Sequence, residues 1–198
     1  MVAAGSALLL SSACAYSGLG VDRYAAFAVR GDGTLAAAPA ASPAVTYNPT
    51  LAPVGAHMKA TLNPSGDSTV ADLSVSGLAP NRGFSVIAHV NTCGGGPGGE
   101  GPRFQKRIDP AIDPAKPYVP STNPEYANPT NEIWLDVRTD STGSGTSHAE
   151  VPFVFTDRGP GSLVVHDQQQ SSPGTAQAAS SDDRVACLSL RATPYGAS

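Results

Sequence analysis

A histidine and a cysteine lie four residues apart, where a strand-like segment runs into a glycine-rich loop. This segment, GFSVIAHVNTCGGGPGGEGPRF, spans residues 83–104. His89 offers an imidazole nitrogen, which can bind a metal or move a proton near neutral pH. Cys93 offers a thiol for a disulfide or for a metal. The rest of the chain must therefore supply partners for both groups.

The cysteine count indicates a disulfide in an exported protein. The chain has three cysteines. Cys14 lies in an N-terminal apolar run, which leaves Cys93 and Cys187 as a pair. Two cysteines in an oxidising compartment most simply form a disulfide, which would contribute at most about 4–5 kcal/mol of stability across so long a loop. Two separate buried thiols are the alternative.

The N-terminal run MVAAGSALLLSSACAYSG has the length and the small-residue ending of a secretion signal. The triplet ACA at residues 13–15 fits cleavage after Ala15, whereas SSAC at residues 11–14 resembles a lipobox and would leave Cys14 as a lipidated first residue. Both interpretations predict an exported protein in the cell envelope or outside the cell. A lipid on Cys14 is the one membrane attachment that the sequence indicates.

Composition and charge exclude some classes of partner. The chain has 198 residues, with 12 Lys and Arg, 16 Asp and Glu and a formal net charge of −4. Its basic residues are scattered, so a nucleic-acid partner, which needs clustered positive charge, is not expected. Apolar runs are too short for a conventional membrane-spanning helix.

The sequence predicts four consecutive regions. Residues 1–15 are the signal, and residues 16–44, rich in Ala, Pro, Gly and Ser, are a flexible linker. A hairpin turning at GDG, residues 31–33, is the one structured element considered within this linker. Residues 45–192 form the folded domain, and residues 193–198 are a tail.

The pattern within the domain is that of an all-β protein. No segment has a helical period, and seven or eight short strands alternate with Gly-, Pro-, Asn- and Asp-containing turns. This predicts an antiparallel sandwich or barrel. The long loops Thr92–Thr130 and Gln168–Asp183 are the expected carriers of function. The predicted strands lie in GAHMKATLN, STVADLSVSGL, GFSVIAHVN, NEIWLDVRTD, TSHAEVPFVFT, SLVVHD and RVACLSLR.

Five short motifs, taken in chain order, resemble the copper/zinc superoxide dismutase family. They are IAH ending at His89, the loop cysteine Cys93, GPRF at residues 101–104, GSLVVH ending at His166 and RVAC ending at Cys187. The resemblance covers roughly Thr61 to Leu190, and HVNTCGG and ANPTNEIWLD are most similar to a divergent actinobacterial branch of exported members. It implies a Greek-key β-barrel or sandwich and a disulfide that fastens the long loop to the barrel.

The resemblance also implies a copper site, but with an incomplete ligand set. His89 and His166 match two copper ligands of the family. The family's H-x-H motif is Ile87-Ala88-His89 here, so Ile87 replaces one ligand, and a one-residue slip would bring Val86, which cannot ligate either. Arg103 stands at the position of the bridging histidine, and a guanidinium has no lone pair to donate.

Zinc is not expected from the same comparison, while copper is left as an open expectation. No histidine lies between His89 and His148, so the further zinc histidines of the family have no counterpart. The loop carboxylates Asp109 and Asp113 alone suit harder ions than zinc. Copper held by the two imidazoles is the only cofactor that the residues leave in consideration.

Two arginines near these motifs receive specific predictions. A buried guanidinium needs a carboxylate partner, so we predict that Glu132 pairs bidentately with Arg103. The resemblance gives Arg184 the role of guiding the superoxide anion. The alternative for Arg184 is a surface position neutralised by Asp182 and Asp183.

Two functions follow from these residues. The favoured one is a non-catalytic or weakly active envelope module of the superoxide dismutase family, which has lost zinc and part of the copper site. The other is an active copper-only enzyme that converts superoxide to oxygen and hydrogen peroxide. The protein partner of such a module is not identified by the sequence, and His57 and His148 are expected to be exposed or structural.

Overall fold

The computed structural model describes residue 1 and residues 25–94, 96–113, 116, 119–171 and 183–194. Within them the fold is all-β, as predicted, with eleven strands and no α-helix. None of the described segments is a helix long and apolar enough to cross a membrane. The strands are β1 Phe27–Thr34, β2 Ala36–Ala37, β3 Ala44–Thr46, β4 His57–Ser65, β5 Ser68–Ser76, β6 Gly83–His89, β7 Val137–Arg138, β8 Gly145–Val151, β9 Ser162–His166, β10 Arg184–Ser189 and β11 Arg191–Pro194.

The strands form two sheets. The first has the order β11-β1-β4-β5-β8 and the second the order β2-β3-β10-β9-β6-β7. All pairings are antiparallel except the short parallel pair of β2 and β3. Strand β8 lies beside β5 although β6 and β7 intervene in the chain, and β9 lies between β6 and β10. Such returns to a non-consecutive neighbour are Greek-key connections.

One hydrophobic core joins the two sheets, so the architecture is a sandwich of two separately hydrogen-bonded sheets. Alternation by period two sends Met58, Ala60 and Leu62 of β4 inward, and Phe84 and Val86 of β6 join the same core from the opposite sheet. The larger side chains among them, such as Met58, Leu62 and Phe84, each contribute about 1.5–3 kcal/mol. The inner faces of the two sheets are thus occupied by hydrophobic packing.

The domain begins earlier than the sequence predicted. Residues 27–34 form a continuous strand in the first sheet, with Ala28 and Val29 buried in the core. The predicted flexible linker over residues 16–44 is therefore wrong for this part, and the predicted turn at residues 31–33 lies inside β1. Short side chains of Ala, Gly and Ser suit close sheet packing as well as linkers, so composition alone did not separate the two.

Other boundaries also shifted. Thr193 and Pro194 belong to β11, so the predicted tail at residues 193–198 is wrong at its start. Most of NEIWLDVRTD is loop, with only Val137–Arg138 as a strand, and β8 ends at Val151 before the proline. The predictions for the leader, including cleavage after Ala15 and lipidation of Cys14, lie outside the described residues.

Candidate functional site

The outer face of the second sheet carries the residues singled out by the sequence. In β6, Phe84, Val86 and Ala88 belong to the core, so Ser85, Ile87 and His89 point to the other side. All seven residues of β6 are nevertheless buried. The long loop between β6 and β7 covers this face and removes it from water.

Segments of the long loop run along the free edge of β6. Trp134 makes a β-bridge with Ile87, and Arg103 makes one with His89. The amide of Phe104 donates to the carbonyl of Ala88, at 2.8 Å. This pairing covers an exposed strand edge and holds the loop's side chains over the outer face.

His89 and His166 meet on this face. The register pairs His89 with Ser162 and His166 with Ser85, so the pair Ile87–Val164 lies between the two histidines. The two imidazole rings extend towards each other over this pair. Their ring centroids are 5.6 Å apart, and the rings are 27° from parallel. Each residue is 1% exposed. The two candidate copper ligands are therefore brought together, with Ile87 at the position between them.

The tautomer of His89 follows from its one hydrogen bond. Its Nδ1 lies 2.9 Å from the carbonyl oxygen of Gly101. A carbonyl only accepts, so Nδ1 carries the proton and Nε2 holds the lone pair. Gly101 has φ +70°, and a Cβ there would lie 2.7 Å from Nδ2 of Asn91, so glycine suits this position.

Three imidazole nitrogens of this pair have no hydrogen-bond partner among the described residues. They are Nε2 of His89 and both ring nitrogens of His166. Buried polar atoms are normally satisfied, so such a group marks a place where a small ligand, a proton or a water molecule is accommodated.

Arg103 forms the first of two buried ion pairs. Its Nη1 lies 3.7 Å from Oε2 of Glu132, and the two side chains are 6% and 0% exposed. The predicted pairing is thus present as a single contact rather than a bidentate one. Glu132 also accepts hydrogen bonds from Gln105, at 2.9 Å, and from the indole of Trp134, at 2.8 Å. The carboxylate is therefore fully engaged.

Arg184 forms the second buried ion pair. Its Nε lies 3.5 Å from Oε2 of Glu100, with side chains 1% and 0% exposed. Glu100 also accepts from the amide of Gly98, at 2.8 Å. The surface position considered for Arg184 is wrong, because the bulge between Arg184 and Ala186 leaves its side chain buried.

Burial and the two guanidinium charges keep both histidines neutral. The pKa of His89 is lowered from 6.5 to about 3, mainly by burial and to a lesser extent by the charges of Arg184 and Arg103, while its hydrogen bond to Gly101 acts in the opposite direction. The pKa of His166 is lowered for the same main reason, burial, with contributions from His89 and both arginines. Burial also raises the pKa of Glu132 and lowers that of Arg103, and each partner opposes the shift of the other.

The depressed pKa of His89 predicts that the fold is lost more easily in acid. Between about pH 6.5 and pH 3, His89 is protonated in the unfolded chain but neutral in the folded chain. Stability should therefore fall with decreasing pH in this window, by about 1.4 kcal/mol per pH unit for each such histidine. Urea unfolding at several pH values between about 7 and 5 measures the slope.

Two variants make this pH prediction specific. His89→Gln removes one of the two buried histidines and should reduce the slope by about half, whatever it does to stability at neutral pH. His148→Gln is the matched control, since His148 is exposed and contacts Asp72, with Nδ1 2.8 Å from Oδ1. Equal slopes in both variants and the wild type would show that the buried imidazole does not control acid stability.

A disulfide fastens the loop beside this site. Cys93 and Cys187 are bonded with an S–S distance of 2.07 Å, so the predicted pair is confirmed. Cys187 is fully buried and packs with Val45 and Val164 on the same outer face as the histidines. The amide of Cys93 also donates to Oγ of Ser189, at 3.1 Å. The glycine-rich segment is thereby held against β10.

The remaining sequence candidates lie elsewhere. His57 is partly exposed and contacts Asp32, with Nε2 2.9 Å from Oδ1, so it is a surface residue like His148. Asp109 is buried in the loop, where its carboxylate accepts from Ser121 and from the amide of Ala111. These residues do not join the histidine pair.

Sequence reasoning missed Glu100 and Tyr47. Glu100 was visible as the one acidic residue in GGGPGGEGPRF, and a search for a partner to Arg184 would have singled it out. Tyr47 packs near Cys187, and burial together with the neighbouring Glu100 carboxylate raises its pKa. Tyr47 lies far away in sequence, and no motif marks it.

The side chains present do not match a full metal site. Within the described residues, no group of three or more His, Cys, Asp or Glu side chains is placed to hold a metal ion. The histidine pair supplies two nitrogen donors, while Arg103 and Arg184 bring positive charge that opposes a cation. Redox copper and zinc sites in proteins use three or four donors.

Comparison of the sequence with protein-family models finds no match, and comparison with curated proteins finds none either. The class of protein therefore rests on the fold and the site. The chain is a disulfide-bonded, all-β sandwich with two stacked neutral histidines between two buried Arg–Glu pairs.

Proposed function

We propose that the chain is an exported, non-catalytic or only weakly active relative of the copper/zinc superoxide dismutases, working as a module of the cell envelope. The observation that carries this proposal is the ion pair between Arg103 and Glu132 beside His89, at 3.7 Å. In the resemblance, Arg103 occupies the position of the bridging imidazole. A guanidinium held by a carboxylate at this position occupies space that a metal ion would need, and its positive charge takes the place of the metal's charge.

The order of motifs supports the family part of the proposal. The two histidines come from non-consecutive motifs, and β6 and β9 bring their rings to 5.6 Å on one face. The two cysteines bond across 94 residues of sequence. Unrelated residues would not converge in this way. The fold therefore supports the resemblance, although the sequence comparisons found no match.

We infer that the two ion pairs now do the structural work of a bound metal, which is to hold the loop in place. Glu100 of the loop pairs with Arg184 of β10 and joins loop to sheet, whereas Arg103 and Glu132 both belong to the loop between β6 and β7 and join two of its segments. Parting either pair would leave buried charges unpaired. The cell-envelope location, with a lipid on Cys14 as an alternative to simple secretion, belongs to the same proposal.

The second candidate is a copper-only superoxide dismutase. It is favoured by one observation, the three imidazole nitrogens without partners. Two imidazole nitrogens are few ligands for a copper ion that must change oxidation state, and Ile87 has no donor atom to supply a third ligand. Among the described residues, no group of three or more His, Cys, Asp or Glu side chains could hold zinc. We derive no catalytic step for copper, because the residues present do not fit a redox centre.

Copper content and superoxide decay test the proposal directly. The purified chain, loaded with copper and freed of excess by gel filtration, should keep far less than one copper per chain. It should accelerate superoxide decay no more than its His166→Ala variant does. His148→Ala, which removes an exposed histidine, serves as the control for adventitious copper.

The opposite result would favour the second candidate. Stoichiometric copper that survives gel filtration, with superoxide decay that His166→Ala abolishes and His148→Ala keeps, would establish the copper-only enzyme. A chelator should then remove both the metal and the activity.

A further inference from the structure

Two arginines face each other on the surface of the first sheet. Arg30 of β1 lies directly opposite Arg191 of β11 in the antiparallel register, and both residues are exposed. Within the described part of the chain, neither side chain makes a hydrogen bond or an ion pair. Like charges directly opposite each other destabilise a sheet.

An excess of basic residues does not explain this arrangement. The chain has more acidic than basic residues, 16 against 12. Some exposed cations lie beside carboxylates, as Arg107 does beside Glu125 at 3.4 Å, whereas Arg30 and Arg191 lie opposite each other in the register. A repulsive pair in an acidic protein is therefore most simply explained by a negative ligand that the two guanidiniums share.

The arginine pair lines a cleft, which we call the β1–β11 cleft. It has a volume of about 500 Å³ and is lined by, among others, Arg30, Arg191, Lys59, Thr61, Ser189 and Thr193. Asp32, the acidic residue among the described lining residues, is already engaged, with Oδ1 2.9 Å from Nε2 of His57 and Oδ2 3.9 Å from Nζ of Lys59.

Gly31 allows the cleft to have this shape. A Cβ at this residue would lie 2.7 Å from the carbonyl oxygen of Ser189 and 2.9 Å from Cδ2 of Leu190. The absence of a side chain lets β1 approach the corner where the chain passes from β10 to β11. That approach brings Arg30 beside Ser189 and Arg191.

We propose that the β1–β11 cleft binds a tetrahedral oxyanion, a phosphate or sulfate group. Such a group carries several acceptor oxygens and up to two negative charges, so it can take forked hydrogen bonds from both guanidiniums at once. The hydroxyls and the lysine at the rim match its remaining oxygens. None of the described residues that line this cleft is aromatic, so they provide no stacking surface of the kind that favours an uncharged sugar ring.

This site is separate from the histidine pair. Its two arginines lie on strands of the first sheet, with Ser189 of β10 at its rim, whereas His89 and His166 lie on the outer face of the second sheet. Its test can therefore fail or succeed without bearing on the proposed superoxide dismutase relationship.

The test is a binding titration of the full chain with two probes. Inorganic phosphate probes the free anion, and dextran sulfate, with neutral dextran beside it, probes the same chemistry on a polymer. We expect phosphate binding in the range of about 1–10 mM or tighter, and tighter binding of dextran sulfate if the natural ligand is polymeric. Either probe should also raise the melting temperature of the wild type.

Charge-matched variants decide whether the arginine pair is responsible. Arg30→Gln and Arg191→Gln should each weaken binding about tenfold or more, because each removes charge-assisted hydrogen bonds. Arg138→Gln removes the same charge from an exposed arginine of β7 and should change the affinity less than about twofold. Without ligand, the first two variants should melt at or above the wild-type temperature, since they relieve repulsion.

Two results would overturn the proposal. One is the absence of binding of both probes up to about 10 mM phosphate. The other is an equal loss of affinity in all three variants, which would show attraction to general charge rather than to this cleft.

Discussion

Replacing Glu132 by alanine is expected to lower the free energy of unfolding by about 3–5 kcal/mol, because it leaves the guanidinium of Arg103 buried without its carboxylate. Arg103 is 6% and Glu132 0% exposed at the side chain. Water therefore cannot replace the lost partner. The change also leaves the amide of Gln105 and the indole of Trp134 without an acceptor. Urea unfolding followed by tryptophan fluorescence measures the loss, and Trp134, the one tryptophan, lies beside the substituted residue.

Glu125→Ala is the matched control for this variant. Glu125 pairs with Arg107 at 3.4 Å, but the two side chains are 62% and 61% exposed, so its removal should cost no more than about 1 kcal/mol. Replacing both Arg103 and Glu132 by apolar residues of similar volume should recover much of the loss, since no charge is then left unpaired. If Glu132→Ala were as stable as Glu125→Ala, the buried pair would not hold the two loop segments together, and the proposed structural role would be wrong.

Removing the disulfide is expected to have the second large effect. The double variant Cys93→Ala with Cys187→Ala should lose about 2–5 kcal/mol, because the bond closes a long loop and its absence gives the unfolded chain back its conformational freedom. The bonded residues are 94 positions apart. Alanine is chosen because a serine at the fully buried Cys187 position would add an unsatisfied hydroxyl.

Reduction of the wild type provides the internal check. A strong thiol reductant should bring the urea midpoint of the wild type towards that of the double variant, and should leave the double variant unchanged. A double variant within about 1 kcal/mol of the oxidised wild type would mean that the ion pairs and hydrogen bonds of the loop hold it without the disulfide.

The two effects bear on the same question, which is what holds a long, glycine-rich loop over a sheet face. In the proposed relationship, a metal would bind loop and sheet together. In this chain, the described contacts between loop and sheet include the disulfide, the Arg184–Glu100 pair, the hydrogen bond from His89 to Gly101 and the backbone pairing along β6. The Arg103–Glu132 pair joins two segments of the loop itself. A non-catalytic module therefore requires that these contacts hold the loop on the sheet without a metal.

Local pattern was enough to find most strands and the disulfide. Alternating residues in GAHMKATLN and STVADLSVSGL are a local signal, because the side chains of a strand point in turn to core and solvent. The cysteine pairing was predictable because only two cysteines remained once the leader was set aside. The same local approach failed for residues 27–34, where small residues that pack closely in β1 look like a linker.

The amino-acid sequence by itself determined the all-β class, the Cys93–Cys187 pair and the absence of a metal-binding side chain at Ile87 and Arg103, since these depend on residue type and short-range order. Only the tertiary structure decided that His89 and His166 stack at 5.6 Å, that Arg184 is buried against Glu100, and that Arg30 faces Arg191. The physical reason is that these contacts join residues far apart in the chain. Their distances depend on register, on the bulge in β10 and on the path of the loop, which no local pattern encodes.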